Sequence, residues 1–289
     1  MAIGSVMGRT MRRRAHGGHT VSGASRAAAW IAVGAVVVIS LIAVFAGVLA
    51  PYDPVQPVGG LALEPGSPGF PLGTDGIGRD LLSRTLIGIR TSWFSALLVV
   101  AIGLVVGGLI GLVAGSFGGW VDAVLMRGTD LFLALPGALV AIAIVAALGA
   151  SLKNTLIGIS LVWWPFYARI IRGEVRAIAS RPHVEAARLS GVGRWRLIRR
   201  HILPGAIPTA IVAASLDVGN VVLLLAGLSF LGLGQAAPAP ELGADTARSL
   251  SFLLIDWWIP VIPALAVMLL SLVANLGGDG LRNLLAARR

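Results

Sequence analysis

Residues 92–121 read SWFSALLVVAIGLVVGGLIGLVAGSFGGWV, with no charged side chain in the stretch. A helix rises 1.5 Å per residue, so ~20 such residues cross the ~30 Å hydrocarbon core of a bilayer. The stretch predicts a transmembrane helix, placed at 92–116. Uncharged runs recur at 29–50, 131–152, 154–168, 218–240 and 257–278. The run at 218–240 extends upstream to about 206, broken only by Asp217. These predict further spans at 29–50, 123–149, 154–171, 206–232 and 257–276. No ten-residue alternating pattern repeats, which argues against a membrane barrel. The expected fold is an all-α membrane protein of six transmembrane helices.

Composition agrees. The chain is 56% hydrophobic and 12% charged, with a mean hydropathy of +0.88. Soluble domains carry about 25% charged residues, so this surface suits lipid. The apolar core of the first span, about 22 residues, exceeds the 7–15 of a signal peptide, so it is read as a retained span. Cysteine is absent, and the four histidines (His16, His19, His183, His201) are scattered, so no metal site is expected. The one lysine, Lys153, sits between Leu152 and Asn154, which rules out a GxxxxGK[ST] phosphate loop. No GxSxG, HExxH or paired carboxylate appears, and the chain is not expected to be an enzyme.

The net charge of +10 is carried almost wholly by arginine. The arginines cluster beside spans, which argues for membrane topology and against a nucleic-acid partner. The tail 1–28 holds Arg9, Arg12, Arg13, Arg14 and Arg26 and no acid; the segment 172–205 holds eight arginines against Glu174 and Glu185; the tail 277–289 adds Arg282, Arg288 and Arg289. Six spans put all three on one side, so both termini are expected in the cytoplasm. The segment 51–91 then lies outside, and 92–276 forms the core domain.

Two features inside the spans stand out. Gly103, Gly107, Gly111 and Gly115 recur every four residues and line one stripe that admits a close helix. That helix belongs either to a partner or to this chain. Asp217 lies within the fifth span, with Asn220 on the same face. A carboxylate at that depth faces a cavity or a partner, so it marks either a translocation path or a pairing that fixes helix register.

The segment 172–205 reads RGEVRAIASRPHVEAARLSGVGRWRLIRRHILPG. Pro182 suits the first turn of a helix capped by Ser180 or Arg181. Gly191 and Gly193 suit its end. Val184, Ala187 and Leu189 are expected on one side. A second short helix, Arg194–His201, is expected to stop before Pro204. By composition alone this is a basic loop touching lipid headgroups.

The order of residues says more. Glu185-Ala186-Ala187, then Gly191, Ile198 and His201-Ile202-Leu203-Pro204, resembles the EAA signature of binding-protein-dependent ABC permeases. Three further stretches narrow the resemblance to the C-type permease of the dipeptide/oligopeptide/nickel class: LGTDGIGRDLLSR at 72–84, LSFLGLG at 228–234 and NLGGDGLR at 275–282. The pattern departs from that class at His183, Gly205, Leu225 and Leu242.

The resemblance implies a type I importer bundle in a bacterial inner membrane. It implies a coupling role for Glu185, Ala186, Ala187, Gly191, Ile198, His201 and Pro204. The implied partners are a second permease, two cytoplasmic ATPases, which bind ATP and Mg, an extracytoplasmic substrate-binding protein and a peptide-like substrate. No cofactor is expected in this chain. Two other readings remain: an ion-driven carrier using Asp217, or a membrane anchor that recruits a soluble partner.

Overall fold

The computed structural model describes residues 23–286. The arginines at 9, 12, 13 and 14, and those at 288 and 289, lie outside the described residues. Ten α-helices make up the described chain: α1 Gly23–Leu49, α2 Leu81–Phe117, α3 Gly119–Ala134, α4 Gly137–Leu148, α5 Leu152–Ala179, α6 Pro182–Leu189, α7 Arg194–Leu197, α8 Leu203–Phe230, α9 Leu242–Arg248 and α10 Trp258–Ala286. The only β pairing among the described residues is two isolated bridges, Ser67 with Phe70 and Thr74 with Asp80. The all-α expectation holds.

Four helices are long and apolar enough to cross a membrane: α1, α2, α8 with α7, and α10. The pair α3 and α4 makes a fifth if it is one broken span. Helix α5 carries Lys153, Arg169, Arg172, Glu174 and Arg176 and is too polar to qualify by composition. It nevertheless lies along most of α2 and also touches α4 and α8, at the centre of the bundle.

The boundaries differ most from the sequence reading in four places. Helix α2 begins at Leu81, well before 92, because Asp80 caps it and its carboxylate accepts from Ser83 N at 2.8 Å. Helix α5 runs to Ala179, taking the first part of the predicted loop. Helix α10 runs to Ala286, so 277–286 is helix and not tail. The third span is broken. Leu135 is extended (φ −91°, ψ 140°), as a residue before proline prefers, and Pro136 opens α4. The two halves meet at 84°.

Lipid removes most of the hydrophobic drive between helices, so close backbone packing and hydrogen bonds must hold them. The glycine stripe of α2 does this within the chain. A Cβ at Gly103 would stand 3.1 Å from the Tyr167 ring, and one at Gly115 would stand 2.7 Å from Val175. Cβ atoms at Gly107 and Gly111 would strike the backbone oxygens of Trp164 and Ala168. The partner of the stripe is α5. Glycines 277, 278 and 280 play the same part in α10: a Cβ at Gly278 would stand 2.8 Å from Ser215 O of α8, and one at Gly280 would stand 2.8 Å from Ala29 O of α1. The bundle core gathers Trp93, Val99, Tyr167, Val221, Leu225 and Leu270.

One ion cluster ties α3 to α5. Asp122, 6% exposed, accepts from Arg172 Nη2 at 2.7 Å and from Arg176 Nη2 at 2.5 Å. Both arginines are partly solvated, which moderates the pairing. Asp122→Asn is expected to lose ~1–2 kcal/mol of stability, since one acceptor serves two cations. A calorimetric scan in detergent checks it, and an unchanged midpoint refutes it.

Candidate functional site

The residues of the EAA signature fold as the local chemistry dictates. Arg181 is extended and caps α6, with Pro182 at the first helical position. The helix closes in a Schellman arrangement: Val192 N donates to Ala187 O at 3.2 Å, and Gly191 N donates to Arg188 O at 3.1 Å. Gly191 holds φ +79°, the left-handed region that glycine enters without strain.

The helix is pinned from one side. Val184 is fully buried among Ile171, Val175 and Ile178 of α5 and Leu197, Ile198 and Ile202 further on. Ala187 is half-buried against the same cluster. The opposite face carries Pro182, Glu185, Ala186 and Leu189, spaced three and four apart, all exposed. Leu189 is 88% exposed and Trp195 67% exposed. The expectation that Leu189 shares a side with Val184 and Ala187 is corrected: five residues at 100° per residue turn it away from Val184. Ile198 is buried and anchors the loop, whereas His201 is half-buried and Pro204 exposed.

The expected stop before Pro204 is also corrected. Residues Ile198–Ile202 form a π-helical turn, with Leu203 N donating to Ile198 O. Proline in a regular helix clashes with the carbonyl four residues back and lacks the N–H that would bond it. The wider turn accommodates both, and α7 continues into α8 as one helical run, Arg194–Phe230.

On α8, the half-buried carboxylate of Asp217 accepts from Trp163 Nε1 at 3.1 Å through Oδ2 and from the exposed Asn220 Nδ2 at 3.4 Å through Oδ1. Together with Phe132, Phe166 and the chain around Pro136, these residues line a cavity of 340 Å³. The fifth-span pair noted in the sequence therefore meets the break between α3 and α4.

The sequence reading missed a third cluster, at the start of α2. Arg84, 3% exposed, donates from Nη1 to Pro54 O at 2.7 Å and Pro238 O at 3.3 Å, and from Nη2 to Asp245 Oδ1 at 2.6 Å. Asp75 accepts from Arg79 N at 2.9 Å and Nε at 2.6 Å and from Ile77 N at 3.0 Å, which shapes the LGTDGIGRD turn. Glu241, fully buried, caps α9 through Gly243 N at 3.2 Å and Ala244 N at 2.9 Å. Burial pushes the carboxyls of Glu241 and Asp245 above their usual range. No sequence spacing links Arg84 to Asp245, which lie in different segments. Among the described residues no group of three His, Asp or Glu could hold a metal ion.

Comparison with known proteins places the chain. Residues 107–289 match the family model described as "Binding-protein-dependent transport system inner membrane component". A probable D,D-dipeptide transport system permease protein of Escherichia coli is 40% identical over 250 residues, covering 86% of this chain and 84% of that protein. The di/tripeptide transport system permease protein of Pseudomonas aeruginosa is 42% identical over 249 residues, covering 84% and 82%. A glutathione transport system permease protein of Pectobacterium atrosepticum is 38% identical over 251 residues, covering 86% and 83%. Among solved structures, the methionine ABC transporter MetNI in an inward-facing form aligns with a TM-score of 0.56 at 18% identity, covering 69% of this chain and 95% of that one. That likeness is one of fold.

Proposed function

The chain belongs to the family of binding-protein-dependent transport system inner membrane components, and from that premise we propose that it forms half of the pathway of an ATP-driven importer of dipeptides or related short peptides. The resemblance carried by the EAA signature is borne out at the level of the family. Relatives named for D,D-dipeptides, di/tripeptides and glutathione support short peptides as the substrate class. The pathway is completed by a second permease. Two ATPases drive it, and an extracytoplasmic binding protein delivers the peptide. Both termini and α6 face the cytoplasm, in keeping with the arginine-rich segment 172–205.

One observation supports the coupling role above the rest. Helix α6 is bolted to α5 through Val184 while its far face offers Glu185, Ala186 and Leu189 to solvent. An apolar strip with a carboxylate beside it suits a cleft on a soluble protein. A push on α6 reaches α5 through Val184 and α8 through the π turn. The docking contacts of this reading are therefore Glu185, Ala186 and Leu189, with Gly191 setting the exit from the helix. Ala187 and Ile198 hold the element to the bundle.

Glu185→Lys and Gly191→Pro are expected to reduce ATP-dependent dipeptide uptake at least tenfold while the chain still inserts. Proline fixes φ near −65°, which the +79° at Gly191 forbids, so the helix exit must rebuild. Uptake in cells expressing the whole transporter is the measurement, with membrane-fraction immunoblots for insertion. Wild-type uptake in both variants defeats the coupling role.

A further inference from the structure

Asp217 is a carboxylate within a bilayer-crossing helix, and among the described residues no arginine, lysine or histidine lies within ion-pair distance of it. Its hydrogen-bond partners are two neutral donors, Trp163 Nε1 at 3.1 Å and Asn220 Nδ2 at 3.4 Å, and the buried phenol of Tyr167, also neutral, stands beside it. A carboxylate offers about four lone-pair directions, so acceptor capacity remains on both oxygens. A carboxylate without a counter-charge on a membrane-crossing helix calls for a cation.

The surroundings fit one kind of cation. The cavity that holds Asp217 and Asn220 is walled by Phe132, Trp163 and Phe166. Aromatic faces attract a cation through the ring quadrupole, more strongly where water is scarce. They also favour an organic cation, whose carbon substituents need an apolar wall. The C-terminal end of α3 reaches the same cavity through Phe132 and Leu135, beside the break at Pro136. A helix C-terminus carries partial negative charge from its free carbonyls. A carboxylate, aromatic rings and the negative end of a broken helix thus converge on one space of 340 Å³.

We propose that Asp217, with Trp163 and Asn220 orienting its carboxylate, is a binding site for a primary alkylammonium group, such as the free amino terminus of a peptide in transit. This rests on the pathway reading above and adds to it the end of the substrate that is recognised. Binding is by charge-assisted hydrogen bonds to Asp217 and contact with the aromatic walls. No covalent step is involved.

The test uses the full chain in lipid nanodiscs, with the emission of Trp163 isolated as the difference between wild type and Trp163→Phe. The probe is n-butylammonium, with n-butanol as its neutral analogue and sodium chloride as the simple cation. Saturable change with butylammonium, none with butanol or sodium, and at least tenfold weaker binding in Asp217→Asn support the site. Asp217→Glu should bind within a fewfold of wild type, which separates loss of charge from loss of fold. Equal responses to butylammonium and butanol, equal responses to butylammonium and sodium, or an undiminished titration in Asp217→Asn would overturn it.

The two readings fail separately. Glu185→Lys should abolish dipeptide uptake and leave the ammonium titration intact. A wild-type chain deaf to butylammonium, with Glu185→Lys still blocking uptake, sinks only the ammonium site. A normal titration with uptake undisturbed in Glu185→Lys sinks only the coupling reading.

Discussion

Leucine at Gly107 is expected to drive α2 and α5 apart and to cost more than any single overpacking of a flexible core. Inserting extra carbons into a filled interior costs ~1–3 kcal/mol where side chains can move aside. Here the obstacle is the backbone of α5 at Trp164 O and at Ala168 N, 2.9 Å from the first added carbon. No rotamer relieves that contact, so the helices themselves must separate. Gly108 supplies the control, because a Cβ there meets nothing within 4 Å. Gly108→Leu should melt near wild type, since leucine is the better helix former by under ~1 kcal/mol. Gly107→Leu should lose the folded, monodisperse species or melt at least ~6 °C lower, taking roughly 2–4 °C per kcal/mol for a chain of this size. Equal midpoints for the two variants in the same detergent would show that the stripe does not join these helices.

Arg84→Met is expected to be the other severe change. It removes the one side chain that ties the segment before α2, the segment before α9 and α9 itself to each other, through Pro54 O, Pro238 O and Asp245. Within ion-pair distance Asp245 then keeps only Arg248, at 3.3 Å. Stranding a buried charge costs ~3–5 kcal/mol. The pH dependence follows from burial, which holds the Asp245 carboxyl above its usual range, with Arg84 as the main opposing influence. A carboxyl raised on folding stabilises fully below its unfolded pKa, and that contribution fades as pH climbs through the folded value. Without Arg84 the folded value climbs further, so the deficit of the variant should grow toward neutral pH and shrink toward about pH 4, near the ordinary aspartate range. Asp245→Asn added to Arg84→Met should recover part of the loss at neutral pH. Midpoints from pH 4 to pH 8 decide it, and a pH-independent deficit contradicts the account.

What could be read from the chain was local. Spans announced themselves as uncharged runs, and the ends of α6 were written in Pro182 and Gly191, each a backbone requirement within one turn. Longer-range features were not legible for reasons that differ. Pro136 was visible, but a proline alone removes one hydrogen bond; the sharp bend needs Leu135 held extended before it, and neighbouring helices to receive the displaced half. The glycine stripe showed that a helix comes close without saying whose. Trp163 was indistinguishable from a lipid-facing aromatic until its Nε1 was found on Asp217. Arg84 looked like one more loop charge. Leu189 was misplaced because its apolar character grouped it with Val184 and Ala187, whereas its angular position around α6 decides which way it faces.

The π turn at Ile198–Ile202 makes a mechanical difference. It lets Arg194–Phe230 run as a single rod of 37 residues across the proline that should have cut it. At 1.5 Å per residue such a rod is ~55 Å long. Tilted by about 5° about its midpoint, it sweeps each tip by roughly 2 Å, simple leverage on that helical length. Small strokes at one membrane face are thus carried toward the other along one continuous helical run, with Pro208 in its path.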